Sequence, residues 1–181
     1  AGVRVRTVQP SPDGRLVALE DERGHFRVLS LATYDVTSPL STALTSRGLH
    51  PTADGLVALG AALTRWRLGA SSPVVRSQHG VSAIAVSRDG RLVALGDRDG
   101  VDVLATADGS VVRRIDAVGR MVKSIAFRPD SHALALVVTD SADLVVADAD
   151  TGTREIVHTL GEGLGSGFRR VGWLGDALLA T

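Results

Sequence analysis

Cysteine is absent from the chain, so disulfides, thiolate nucleophiles and cysteine-ligated metals are excluded from its chemistry. Aromatic residues make up only 3%, and Lys123 is the sole lysine among 20 basic residues. Those 20 are matched by 20 acidic residues, which argues against a general nucleic-acid or membrane surface. No apolar run approaches the roughly 20 residues of a membrane-spanning helix, and no charged segment followed by an apolar one marks a secretory leader. A Gly-x-Ser-x-Gly elbow, a His-Glu-x-x-His helix and a P-loop are missing too, which removes the commonest hydrolase, zinc-protease and nucleotide signatures. The expectation is a cytoplasmic body with no cofactor, no metal, no nucleic acid and no membrane among its partners. At 181 residues and 44% hydrophobic, the chain is long and apolar enough for a packed core.

What is present is a repeat. Ser-Pro-Asp-Gly at 11–14, Thr-Ala-Asp-Gly at 52–55, Ser-Arg-Asp-Gly at 87–90 and Arg-Pro-Asp-Ser at 128–131 stand 41, 35 and 41 residues apart. That spacing lies close to the roughly 40–45 residues of a propeller blade. After each comes a short, mainly apolar run without helical period, Arg15–Leu19, Leu56–Leu59, Arg91–Leu95 and His132–Leu136, so the turn joins two strands. First strands are read at Val5–Val8, Val81–Val86 and Val122–Phe127, with both faces buried. Third strands follow tight turns such as Arg23-Gly24 or Asp99-Gly100 and are read at Phe26–Leu29, Leu63–Leu68, Val101–Ala105 and Leu144–Ala147. Fourth strands are placed at Tyr34–Val36, Val74–Arg76, Val111–Ile115 and Glu155–Thr159. Each unit is therefore a four-stranded antiparallel meander, and the fold class is all-β.

In the words Ser-Pro-Asp-Gly-Arg-Leu-Val-Ala-Leu and Val-Ser-Ala-Ile-Ala-Val-Ser-Arg-Asp-Gly the chain resembles the WD-repeat family in its degenerate bacterial form, over nearly its whole length. The family's Trp-Asp pair appears here as Leu29-Ser30, Trp66-Arg67, Ala105-Thr106 and Ala147-Asp148, so only Trp66 and Asp148 match it. Its Gly-His pair before the first strand is missing, although His79-Gly80 stands near that place. The resemblance implies a β-propeller, and other four-stranded propellers, quinoprotein-like or lactonase-like, stay open. Blades are expected at about 4–40, 41–79, 80–119 and 120–160, with the start of a fifth at 168–181. About four and a half blades do not close a ring, so the propeller is expected to be incomplete, its remaining blades supplied by the same polypeptide or another chain.

Catalytic signals are weak. His25, His50, His79, His132 and His158 fall at different blade positions and do not converge on one metal. Asp148-Ala-Asp150-Thr-Gly152 looks faintly like a calcium loop, but Thr159 stands where a bidentate glutamate is needed, and its place matches an ordinary turn. The glycine run from Gly161 to Gly167 lacks the helix start that a phosphate cradle requires. A non-catalytic protein-interaction platform is the expected function. The alternatives are a sensor or regulatory module of a larger signalling protein (kinase, nucleotide-binding or peptidase) and, third, a propeller enzyme.

One constellation emerges when the repeats are superposed. Eight residues before each turn glycine, or its Ser131 equivalent, stand Arg6, Arg47, Ser82 and Lys123, and matching Phe168 to Val81 adds Arg169. Equivalent first-strand positions form an arc around a propeller's channel mouth, with Arg76, His79, Arg98 and Arg120 in or near the surrounding loops. Such an arc fits an acidic or phosphorylated segment of a protein partner, held by charge-assisted hydrogen bonds. The competing reading pairs each basic residue with an acidic one of the second-to-third-strand turns: Glu20, Asp21, Glu22, Asp97, Asp99, Asp140 or Asp143.

Overall fold

The computed structural model describes residues 4–11, 13–36, 48–52, 55–59, 62–67, 74–77, 80–117, 121–139, 143–159 and 170–181; side chains at 48–49, 58–59, 62–64, 66–67, 74–77 and 157–159 are outside the description. These residues are all-β, with no helix among them. The chain divides into two compact units, Ala1–His79 with Arg88–Gly90, and Gly80–Ser87 with Arg91–Thr181.

The first unit holds two open antiparallel meanders. Strands β1 (Val5–Pro10), β2 (Leu16–Asp21) and β3 (Phe26–Ser30) form a three-stranded sheet, and β4 (Gly48–Thr52), β5 (Gly55–Leu59), β6 (Ala62–Arg67) and β7 (Val74–Ser77) a four-stranded one. The alternation that marks β2 as a strand puts Leu16 and Ala18 inside, where Phe26 and Val28 of β3 and Leu56 of β5 join them in one cluster. Burying side chains of this size contributes roughly 1.5–3 kcal/mol each.

The second unit contains two four-stranded meanders and a hairpin. They are β8 (Ala83–Val86), β9 (Leu92–Gly96), β10 (Gly100–Ala105) and β11 (Val111–Asp116); then β12 (Val122–Phe127), β13 (Ala133–Val138), β14 (Asp143–Asp148) and β15 (Arg154–Thr159); and finally β16 (Val171–Leu174) with β17 (Ala177–Ala180). First strands are neighbours: β12 packs beside both β8 and β16, as β1 packs beside β4 in the first unit. Between the two larger sheets lies the main core, including Val101, Val103, Ile115, Val122, Leu134 and Leu136. Arginines of the outer strands tie these sheets together, with Arg113 Nη2 donating to Asp150 O (2.6 Å) and Arg154 Nη1 to Asp116 O (2.5 Å). The hairpin is held by Arg128, which pairs with Asp176 (2.5 Å) and lies 5.6 Å from the centre of the Trp173 ring.

The Ser-x-Asp-Gly turns are built by their own side chains. Ser11 Oγ accepts the Leu16 amide (2.9 Å) and donates to Asp13 (2.6 Å), and Ser87 Oγ accepts the Leu92 amide in the same way (2.9 Å). Gly14 and Gly90 adopt φ of 71° and 70°, the left-handed conformation that glycine enters freely. The other two words depart from this geometry. Gly55 has already entered β5 opposite Thr52, and Ser131 has no positive φ.

Two expectations are corrected. Tyr34–Val36 is not itself a strand: among the described residues it makes one isolated bridge, Leu29 to Val36, and residues 37–47 lie outside the description. Tyr34 belongs to the turn instead. Tyr34 N donates to Ser30 O as Gly109 N does to Ala105 O and Gly152 N to Asp148 O, and all three residues are left-handed, at φ of 59°, 72° and 79°. Nor is β1 buried on both faces. Val5 and Val8 are 48% and 59% exposed, because β1 has one neighbouring first strand in its unit where β12 has two.

Tyrosine at a left-handed position carries backbone strain, and with 78% of its surface exposed Tyr34 recovers little through burial. Tyr34→Gly is therefore expected to stabilise the first unit by about 1 kcal/mol, read as a higher urea midpoint. An unchanged or lower midpoint would contradict the strain.

Candidate functional site

The basic positions found by superposition share a backbone feature that spacing did not show. In β1 the pairing with β2 runs Val5 to Asp21 and then Thr7 to Glu20, leaving Arg6 as the extra residue of a β-bulge. In β12 it runs Val122 to Val138 and then Ser124 to Val137, leaving Lys123 as the extra residue. A bulge kinks its strand and re-aims the side chain it carries. Both side chains are exposed although each follows an apolar strand residue. Ser82, at the matching place before β8, donates its amide to Gly96 O (2.8 Å), and its hydroxyl lies 2.5 Å from Val122 O. Where the position is not basic, it is used to join one first strand to the next.

Arg98 sits in the turn between β9 and β10, and that turn reaches β12, next to Lys123, through a hydrogen bond from Val122 N to Asp97 O (2.9 Å). Arg98 is exposed, and neither it, Lys123 nor Arg6 has an ion pair or hydrogen-bonding side-chain partner among the described residues. Arg76 is placed on β7 by its backbone, opposite Leu63. Arg47, His79, Arg120 and Arg169 lie outside the described residues.

Three of the acidic turn residues that could neutralise these cations, Asp21, Glu22 and Asp97, are engaged elsewhere. Asp97 accepts the amides of Asp99 and Gly100 (both 2.8 Å) and the Arg114 guanidinium (2.9 and 3.1 Å), which also reaches Asp102 (2.8 Å). Burial raises the pKa of Asp97, but those hydrogen bonds and the charge of Arg114 outweigh it and hold the carboxyl below its ordinary value. In the first unit Asp21 accepts the amides of His25 and Arg23 and lies 3.2 Å from His25 Nδ1. Its pKa is lowered chiefly by the His25 amide. Glu22 meets Arg4 rather than Arg6, loosely, at 4.0 Å. Asp140 is outside the described residues, and Asp143 has interactions of its own. For Asp21, Glu22 and Asp97, pairing with the arc does not occur.

The candidate calcium loop is accounted for by a turn. Asp148 accepts the amides of Asp150 and Thr151 and the Thr151 hydroxyl, closing the turn before β15, and His132 lies 3.1 Å from Asp150. Arg114 escaped the sequence reading because Asp97 and Asp102 reach it across the sheet and follow no spacing rule, and Arg128 because it joins the nearby Asp130 (3.1 Å) to the distant Asp176. No protein-family model matches the chain, and comparison with curated proteins finds no match.

Proposed function

We propose that the chain is part of a WD-repeat-like β-propeller and serves as a non-catalytic interaction platform, capturing an acidic or phosphorylated segment of a protein partner at the bulged starts of its first strands. Successive antiparallel meanders with neighbouring first strands support the architecture. The observation that carries the function is Lys123, exposed on a bulge beside the Arg98 turn, while the nearby carboxylate of Asp97 is already saturated by Arg114 and two amides. Arg6 repeats the bulge in the first unit. Unneutralised cations contribute little to stability, whereas a carboxylate or phosphate arriving from a partner gains charge-assisted hydrogen bonds.

The test uses a fluorescein-labelled peptide of alternating Asp and Glu, and its phosphoserine counterpart, in anisotropy titrations across ionic strength. Lys123→Glu and Arg6→Glu are each expected to weaken binding about tenfold at low salt and to flatten the salt dependence, with unfolding midpoints unchanged. Equal affinity for the parent and both variants would remove the first-strand bulges from the interaction surface.

A further inference from the structure

A cleft of about 440 Å³ opens between the two larger sheets of the second unit and continues their shared core outward. Its floor follows from strand register. Leu136 of β13 stands opposite Val145 of β14, which stands opposite Ile156 of β15, and residues paired in this way point to the same face of the sheet. The row opens progressively toward solvent: Leu136 is buried, Val145 half-buried and Ile156 59% exposed. Val138, two residues beyond Leu136 on the same face, lengthens the floor. The facing wall is made by Asp116, the last residue of β11, and by the buried Ala117 that follows it.

The two walls are fixed to one another. Arg154 Nη1 donates to Asp116 O (2.5 Å), Arg113 Nη2 donates to Asp150 O (2.6 Å), and the Ala117 amide is held by Asp99 O (2.9 Å). A cavity shaped in advance spares its ligand the cost of ordering the site. Charge then selects among ligands. The lining carries two carboxylates, Asp116 and Asp143, against one guanidinium, Arg154, an excess of one negative charge. Arg154 is committed to a backbone carbonyl. Both acids have interactions of their own, but a carboxylate offers about four lone-pair positions and accepts a further donor. Asp143 precedes Val145 by two residues on the same strand, which sets its carboxylate beside the apolar row.

We propose that this cleft binds a small organic cation, a primary ammonium carried on an apolar body. The body lies along Leu136, Val145 and Ile156, and burying it removes apolar surface of ligand and protein together from water. The ammonium donates to Asp143, with the Asp116 carboxylate adding to the favourable field from the other wall. An organic anion of the same shape would bring like charge against two carboxylates. A neutral apolar molecule would strip water from those carboxylates without returning a hydrogen bond. The site needs neither Lys123 nor Arg6 and holds whether or not the chain belongs to a propeller, so this ligand and the acidic segment can each fail without the other.

The probe is tryptamine, with tryptophol as its neutral counterpart and indolepropionate as its anionic one, titrated into the full chain and followed by the NMR methyl shifts of Val138, Val145 and Ile156. Tryptamine is expected to saturate, to shift those methyls, and to bind about tenfold more tightly than tryptophol at low salt, with indolepropionate weaker than both. Asp143→Asn should lower tryptamine to the affinity of tryptophol while leaving tryptophol unchanged. Ile156→Arg, a change at an exposed position, should abolish binding of both, with the urea midpoint and the acidic-peptide titration unaltered. No saturable tryptamine binding, methyl shifts confined to other residues, indolepropionate as tight as tryptamine, or full affinity in Ile156→Arg would overturn the site. Should Ile156→Arg fail to fold, Asp143→Asn decides alone: an undiminished preference for tryptamine over tryptophol in that variant would overturn the ammonium contact.

Discussion

Gly100→Val is expected to destabilise the second unit by on the order of 3 kcal/mol or more, seen as a large fall in the urea midpoint reported by Trp173. The reason is close approach rather than backbone conformation, since Gly100 has no positive φ. A Cβ built on it would overlap the carbonyl oxygen of Ile115 and stand 3.3 Å from the Ala117 amide. Both atoms belong to backbone fixed by the β10–β11 ladder and by a hydrogen bond from Ala117 N to Asp99 O (2.9 Å), so neither can swing aside. Alanine at the same place should already be costly. Two further glycines grade the effect. At Gly96 a Cβ would meet Val122 Cβ at 2.8 Å, a contact with a fully buried side chain that should cost nearly as much. At Gly172 it would meet nothing, and Gly172→Ala should be neutral or slightly stabilising. If Gly100→Ala and Gly172→Ala had equal midpoints, the packing of β10 on β11 would be wrong.

Strand positions were legible because period-2 patterning and turn glycines report a local requirement. Val122–Phe127 is placed to the residue, and Gly14 and Gly90 take the conformation that their turns demand. What failed were features decided beyond the local window. Tyr34-Asp-Val36 reads as strand by composition, but the turn geometry places Tyr34 where the β10–β11 and β14–β15 turns use glycine, and among the described residues the segment makes one bridge. Val5 and Val8 read as core, yet the burial of a first strand depends on how many neighbouring sheets flank it, which no residue of that strand encodes.

The candidate site divides the same way. Equivalence of Arg6 and Lys123 came from counting back from the turn, and the shared bulge gives that count a structural meaning. The bulge itself has no sequence signal here, because neither position carries a glycine. The partner of Asp97 was not legible for a simple reason. Asp97 lies nearer in sequence to Arg98, but Arg114 arrives across the sheet with a guanidinium able to bond Asp97 and Asp102 together.

Acid is expected to unfold the first unit earlier than its carboxylates alone require, through His50. This residue stands on β4 opposite Val57, and burial pushes its pKa down from 6.5 to about 4. The folded state therefore holds the imidazole neutral while the unfolded chain takes up a proton. Between pH 6.5 and about 4 the unfolded state binds more protons, so the contribution is complete above the unfolded pKa and is lost progressively as pH falls toward the folded one. The full shift corresponds to about 3 kcal/mol, an upper bound because the residue is only half-buried. Carboxylates act lower: Asp97, held below its ordinary value, loses its contribution only beneath pH 3.8, outside this window. Urea titrations at pH 7, 5.5 and 4.5 should show the first-unit midpoint falling steadily. His50→Gln, which cannot be protonated, should be nearly flat over the same range. Parallel curves for the parent and His50→Gln would show that the ring is solvated in the folded state and that burial of β4 is not what restrains its protonation.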